Sequence, residues 1–273
     1  MQHVIVCYGP ELGYYHGAKL QILKCFAWYS RSHICVVTER PELFDGYPCR
    51  IIALTPKLIK KWSLDRTDHF GIKIQGLLSA IETASSEIQA SLLLDTDMFW
   101  TKDPLLVSSY LTTNTAALYQ NEGPIYNSRN KSIQQFQMAL ENTPIPIRHE
   151  PYLLSKYSQM WGSALIGIHH KNRSLLLDAF ELFKKISPRV AAHTCEQFAL
   201  AETLRLNNKK ILAAKPFTAN WSSTGRKNFV TPLLAAYFGK YGEKNFQLHL
   251  STFHEIRLIR PLSVLFKQKI ARW

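Results

Sequence analysis

Asp95 and Asp97 are the residues of this chain whose type and spacing point most directly at chemistry. They sit in the run Leu92-Leu93-Leu94-Asp95-Thr96-Asp97-Met98-Phe99-Trp100. Two carboxylates beside apolar runs are costly to desolvate unless they hold a cation or accept several hydrogen bonds. An all-oxygen ligand pair favours a hard divalent ion, Mg2+ or Mn2+. The triplet alone is weak, because with Asp at about 5% of residues roughly half of chains this long contain one by chance. An Asx-type turn, with Asp95 or Asp97 capping the segment that follows, is the plain structural alternative. Position must therefore decide.

The elements around the pair supply that position. His3–Tyr8 reads as a strand running into a Gly/Pro turn, and about Gly17 to Ser30 reads as a helix with Ile22, Leu23, Phe26 and Ala27 on one face. His33–Thr38 and Cys49–Leu54 read as further strands, Phe70–Ile81 as a helix, and Ser91–Leu94 as a strand apolar on both faces. Thr115–Tyr119 and Ala164–Ile168 are strand-like, while Arg173–Ile186 and Thr194–Leu206 carry helical spacing. Lys215 to Glu255 is irregular and aromatic-rich, which suits loops around a site better than core. Strands alternating with helices predict an α/β chain with a mostly parallel, buried central sheet. Ligands on such sheets bind at the carboxyl ends of strands, where Asp95 falls.

In this setting the run resembles the D-x-D strand end of GT-A glycosyltransferases, and further matches follow in that family's order up to about Glu255. Val6-Cys7-Tyr8-Gly9 looks like the edge that receives the nucleotide, which assigns Tyr8 and Gly9 to the donor site. Lys73 matches a basic position facing the nucleotide sugar; a solvated helix lysine is the plain alternative. Met160 to Gly167 resembles the N-S-G-V-type strand of the sugar pocket and brings in Gly162 and Ser163, although Trp161 or Gly162 stands where the family has Asn. His193-Thr194-Cys195-Glu196-Gln197 resembles the D-Q or E-Q pair of retaining enzymes similar to glycogenin and bacterial lipopolysaccharide galactosyltransferases. Glu196 is then a sugar-hydroxyl ligand, or a base if the enzyme inverts, and Gln197 lies beside the anomeric carbon. A helix-terminal Glu favoured by the dipole is the plainer reading. Lys215 to Trp221 looks like the loop after this helix, and His249 resembles the late His that joins Asp95 and Asp97 at the metal. Thr252-Phe253-His254-Glu255 replaces the family's Gly and Lys-Pro-Trp, so His249 and His254 both stay open as ligands.

The resemblance implies a GT-A fold over 1–255, flanked by helices, that moves a hexose from a nucleoside-diphosphate sugar to a hydroxyl acceptor. A UDP-sugar is the favoured donor, and a glycan or lipid-linked acceptor, such as a lipopolysaccharide, the favoured partner. Asp95 and Thr96 contact the donor, Asp97 is the direct metal ligand, and Mn2+ or Mg2+ bridges the two phosphates.

Bulk composition constrains the rest. The 273 residues are 46% hydrophobic and 19% charged, which suits one sizeable core. Cys7, Cys25, Cys35, Cys49 and Cys195 are odd in number and lack C-x-x-C spacing, so reduced, mostly buried thiols are expected. No apolar run is long enough to cross a bilayer, and the first residues lack a signal-peptide pattern, which reads as cytoplasmic. The net charge of +13 suits a phosphorylated ligand, an anionic surface or nucleic acid. A non-catalytic nucleic-acid binder lacks any recognisable motif here, so no nucleic acid is expected; a GT-A fold without activity is the other alternative. HAD-type phosphatases carry their D-x-D near the chain start, unlike this chain. The segment 256–273 reads as a basic amphipathic tail. Leu262, Leu265, Phe266, Ile270 and Trp273 fall on one helical face, and Lys267, Lys269 and Arg272 lie beside the other. That pattern suits a peripheral helix on the inner face of an anionic membrane, or one docked on its own domain.

Overall fold

Short strands apolar on both faces build the middle of a seven-stranded sheet. The structure is a computed structural model that describes residues 1–147 and 151–258. The basic tail from Pro261 onward therefore lies outside the described residues. The strands are β1 (Gln2–Cys7), β2 (His33–Thr38), β3 (Arg50–Ala53), β4 (Ala90–Leu94), β5 (Met98–Trp100), β6 (Thr115–Pro124), β7 (Gln159–His169), β8 (Lys210–Ala213) and β9 (Thr218–Asn220). The main sheet has the order β3-β2-β1-β4-β7-β6-β8, and β5 pairs with β9 in a separate antiparallel ribbon. In the main sheet β7 alone runs against its neighbours β4 and β6. The mostly parallel α/β sheet expected from the sequence is the sheet observed.

Side chains alternate across this sheet because successive residues of a strand point to opposite faces. Val4, Cys35, Val37 and Leu93 face one core, while Ile5, Val36, Leu92 and Leu94 face the other. Each such aliphatic side chain contributes roughly 1.5–3 kcal/mol when fully buried.

The helices are α1 (Leu12–Trp28), α2 (Pro56–Trp62), α3 (Gly71–Glu82), α4 (Leu105–Ser108), α5 (Lys131–Leu140), α6 (Ser174–Ile186), α7 (Cys195–Leu206), α8 (Thr224–Tyr241) and α9 (Phe246–Thr252). Helices α3, α5, α6 and α7 cover the first face. Helices α1 and α8 cover the second, and Phe246 of α9 joins them. Among the described residues no helix is long and apolar enough to cross a membrane.

Lys215 to Glu255 is where the sequence expectation fails. Instead of irregular loops it forms β9, the 18-residue α8 and α9. Helix α8 buries only Val230, Leu234, Tyr237 and Phe238, a single stripe at helical spacing. Pro232 lies inside the helix on its exposed side, where its missing N–H and ring bulk oppose helix by about 3 kcal/mol. Packing on α1 overrides that preference.

Helix α7 is fixed by a buried carboxylate. Glu202, 1% exposed, accepts from the Tyr152 hydroxyl at 2.9 Å, the Ser158 hydroxyl at 2.8 Å, and Arg205 Nε at 3.0 Å and Nη2 at 2.8 Å. These bonds tie α7 to the start of β7 and to the Ile145–Tyr152 bridge. Tyr152→Phe removes one donor to a buried charged acceptor and should cost about 1.5–3 kcal/mol in urea denaturation.

Candidate functional site

Strand β4 delivers Asp95 to the carboxyl edge of the sheet. The Asp95 N–H donates to the Ala164 carbonyl at 2.9 Å, and the Met98 N–H donates to the Asp95 carbonyl at 3.0 Å, which closes a turn over 95–98. The Trp221 N–H donates to the Asp97 carbonyl at 2.9 Å, so β9 holds the far side of the turn. The Phe99 and Trp221 rings stack with centroids 5.8 Å apart beneath it. The triplet is thus an ordered turn, clamped through its backbone, with both carboxylates left for other partners.

Helix α1 supplies the third wall. Gln21 Nε2 donates to the Asp95 carbonyl oxygen. A Cβ on Gly17 would lie well inside van der Waals contact with the Thr96 carbonyl oxygen, with the Trp221 ring 3.4 Å away. A glycine inside a helix costs about 1 kcal/mol relative to alanine, and close approach of backbone is what it permits here. Gly17→Ala should therefore lower stability by roughly 1–3 kcal/mol through overpacking. Because the clash is with Thr96, it should also weaken ligand binding at the turn, which titration calorimetry would read.

Beneath the turn lies a buried charge cluster. Lys73, from α3, is 9% exposed, and its Nζ lies 2.8 Å from Asp95 Oδ1 and 3.1 Å from Oδ2. The same ammonium lies 3.2 Å from Ser163 Oγ and 3.7 Å from Glu196 Oε1. The Ser163 hydroxyl donates to Glu196 Oε1 at 2.6 Å. Burial pushes the Glu196 carboxyl above the usual range, with Lys73 and the Ser163 hydroxyl pulling the other way. For Lys73 burial disfavours the ammonium, but Asp95 and Glu196 together outweigh it and hold its proton more tightly than usual. Lys73 is therefore a fixed, buried cation and not a solvated helix lysine.

Above the cluster opens a cleft of about 310 Å³, whose walls include Tyr8, Phe70, Lys73, Asp95, Thr96 and Asp97. Tyr14 and Phe70 leave ring surface exposed there. The Tyr8 hydroxyl donates to the His69 carbonyl at 3.0 Å. Gly9 takes the left-handed φ of +97°, donates its N–H to Glu39 and accepts from the Tyr15 hydroxyl at 2.9 Å. Gly162 packs on the Glu122 side chain, and Gln197 is half-buried beside Glu196 on the first turn of α7. The structure thus gathers Tyr8, Lys73, Asp95, Thr96 and Asp97 on one cleft, with Ser163 and Glu196 directly behind Lys73.

His249 does not join them. It lies fully buried on α9, with Nδ1 2.5 Å from the Tyr47 hydroxyl and its ring against Tyr237 and Phe238. Burial holds its imidazole below the usual value. The aromatic setting that suggested a site residue is the packing of a core histidine. His254 sits in the exposed turn Phe253–Glu255, paired with no site residue. The late histidine expected as third ligand is corrected on both counts, and among the described residues no group of three or more His, Cys, Asp or Glu is placed to hold a metal.

Lys227, Gly17 and Gln21 are site residues that sequence reasoning missed, and Lys227 reaches the cleft itself. It projects from the first turn of α8 into the cleft, with Nζ 3.5 Å from Asp97 Oδ2. No sequence signal marks it while its segment reads as loop. For Gly17 and Gln21 the signal was a glycine and a glutamine on the buried side of a helix.

No protein-family model matches the chain, and no curated protein matches its sequence. Solved structures do match. The galactosyltransferase LgtC in complex with donor and acceptor sugar analogues is similar with a TM-score of 0.53 at 10% identity, covering 92% of this chain and 96% of that one. An active-site mutant of LgtC is similar with a TM-score of 0.51 at 12% identity, covering 78% and 73%. Mouse xyloside xylosyltransferase 1 in its apo form is similar with a TM-score of 0.47 at 12% identity, covering 87% and 93%. The LgtC likeness shows the fold, and the GT-A architecture is the one present.

Proposed function

We propose that this chain is a glycosyltransferase that moves a hexose from a nucleoside-diphosphate sugar, a UDP-sugar first, to a hydroxyl of a glycan or lipid-linked acceptor. The observation that carries the reading is the Asp95–Lys73–Ser163–Glu196 cluster with Asp97 beside it, set at the carboxyl end of β4 under an open cleft. Tyr8, Tyr14 and Phe70 offer ring surface for a base, and the turn at Thr96 lines the same cleft.

The donor set fits a hard divalent cation that completes its shell with phosphate oxygens and water. Mg2+ needs only one or two protein carboxylates in such sites. Asp97, with its side chain 22% exposed, is the accessible ligand, and Asp95, whose two carboxylate oxygens both face Lys73, is the second. Charge also favours the cation. Asp95, Asp97 and Glu196 face the ammoniums of Lys73 and Lys227, three carboxyl groups against two cations. A diphosphate adds further negative charge, which a divalent cation offsets. When bound, Mg2+ or Mn2+ supplies Lewis-acid stabilisation of the departing diphosphate.

The chain's own residues do the rest. Lys73 fixes the Asp95 carboxylate from below and holds its position between two acids. Glu196, 1% exposed, acts through Lys73 and Ser163 as a positioning residue. Gln197, half-buried on the same turn, is assigned to the face of the transferred sugar, and with Glu196 it resembles the pattern that retains anomeric configuration. Ser163, fully buried, holds Lys73 and Glu196 from behind the cleft, and Gly162 is buried beside Glu122. A thermal-shift series with UDP-, GDP- and CMP-sugars, each with and without Mn2+, tests the reading. A cation-dependent rise in melting temperature with one donor class is expected. No rise with any donor refutes it.

A further inference from the structure

The two lysines of the cleft are held in contrasting ways. Lys73 is buried and surrounded by Asp95, Ser163 and Glu196. Lys227 has a side chain 46% exposed and, among the described residues, one long ion pair, 3.5 Å from Asp97 Oδ2. The backbone that carries it is nonetheless fixed. The Trp221 N–H is bonded to the Asp97 carbonyl, Arg226 Nη1 donates to the Asn220 carbonyl at 2.9 Å, and the Lys227 N–H donates to the Ser223 carbonyl at 2.9 Å. A rigid base with a flexible four-carbon stem lets the ammonium change partner without moving the helix.

We infer that Lys227 is an exchangeable counter-ion of Asp97 that makes cation binding and nucleotide binding depend on each other. The inference rests on the donor reading above. Without ligand, the ammonium neutralises Asp97 and occupies the carboxylate that a divalent cation needs. A cation arriving alone must compete with it. A diphosphate arriving alone finds the ammonium already engaged by Asp97. When both enter, the ammonium transfers to phosphate oxygens, Asp97 turns to the cation, and each ligand removes the obstacle to the other. That is a positive coupling free energy between two sites, and it is reciprocal.

The experiment compares the wild type with Lys227→Met and Lys227→Arg. Mn2+ affinity is read from the electron paramagnetic resonance of free Mn2+, and UDP, GDP and CDP affinity from titration calorimetry at saturating Mn2+. Lys227→Met should bind Mn2+ alone roughly two- to fivefold tighter, the range that an exposed ion pair carries. Its nucleotide affinity with Mn2+ should fall about tenfold, the loss of one charge-assisted bond. Lys227→Arg keeps the charge and should track the wild type in both. Mn2+ alone binding Lys227→Met no tighter than the wild type overturns the inference while leaving the donor reading intact. Failure of the wild type to bind any of the three nucleotides with Mn2+ overturns the donor reading and this inference with it.

Discussion

Lys73→Met should destabilise the protein by about 3–5 kcal/mol, the cost of leaving buried charge uncompensated. The substitution removes the ammonium that stands between Asp95 and Glu196, of which Glu196 is almost wholly buried. Methionine fills the same volume, so the loss is electrostatic and not a cavity. The pH dependence separates the two. The raised proton affinity of Lys73 in the fold means that its contribution is fully present below its ordinary value of 10.5 and fades only as pH rises through the folded value. Across the neutral range the wild type therefore keeps it. In the variant the carboxyls face each other without a cation, and Glu196 already holds its proton above the usual range through burial. A carboxyl raised in the fold stabilises while protonated, and that stability is lost as pH rises through its folded value. The gap between wild type and variant should accordingly be larger at about pH 8 than at about pH 5 in urea denaturation. A gap independent of pH would point to packing instead.

Asp97→Asn should lower Mn2+-dependent donor affinity by ~10²-fold or more, because the cation site loses its accessible charged ligand, worth several kcal/mol. The fold should survive. The Asp97 backbone carbonyl, not its carboxylate, receives the Trp221 N–H, and the side chain's one ion pair among the described residues, to Lys227, is long and partly exposed. An exposed pair of this kind contributes roughly 0–1 kcal/mol. Isothermal titration with UDP and Mn2+ reads the affinity, and thermal melting reads the fold. Equal donor affinity in wild type and variant would remove Asp97 from the site.

How much of this was legible depended on whether one physical signal spoke alone. β2 is found where the run His-Ile-Cys-Val-Val-Thr places it, and β4 begins one residue before Ser91, because buried strands leave uninterrupted apolar runs. β6 and β7 extend beyond their expected ends into polar stretches such as Gln120 to Gly123, where bulges interrupt the register and no apolar pattern marks the strand. Helix α1 begins at Leu12 and not near Gly17, since its buried face carries His16, Lys19 and Gln21, which break the hydrophobic period. Lys19 is tolerated there because it bonds the Glu243 carbonyl at 2.7 Å and the Glu243 carboxylate. Helix α5 was legible in principle, with Ile133, Phe136 and Leu140 at helical spacing behind an Asn130 cap.

The site divides along the same line. Lys73, Ser163 and Glu196 stand on α3, β7 and α7, and Asp95 and Asp97 on the turn that leaves β4, the strand paired with β7, so the strand and helix pattern brings them together. Lys227 comes from a helix masked by Pro232 and a narrow apolar stripe. His249 was misread because aromatic neighbours surround a core histidine as readily as a ligand.

Release of nucleoside diphosphate from a panel of nucleotide sugars, measured for wild type and Asp97→Asn with and without Mn2+, tests the central claim most directly. The account predicts slow, cation-dependent release from one donor class by the wild type, even with water as acceptor, and its loss in Asp97→Asn. Release that is equal in the two proteins, or absent from the wild type with every donor and acceptor sugar supplied, would contradict it.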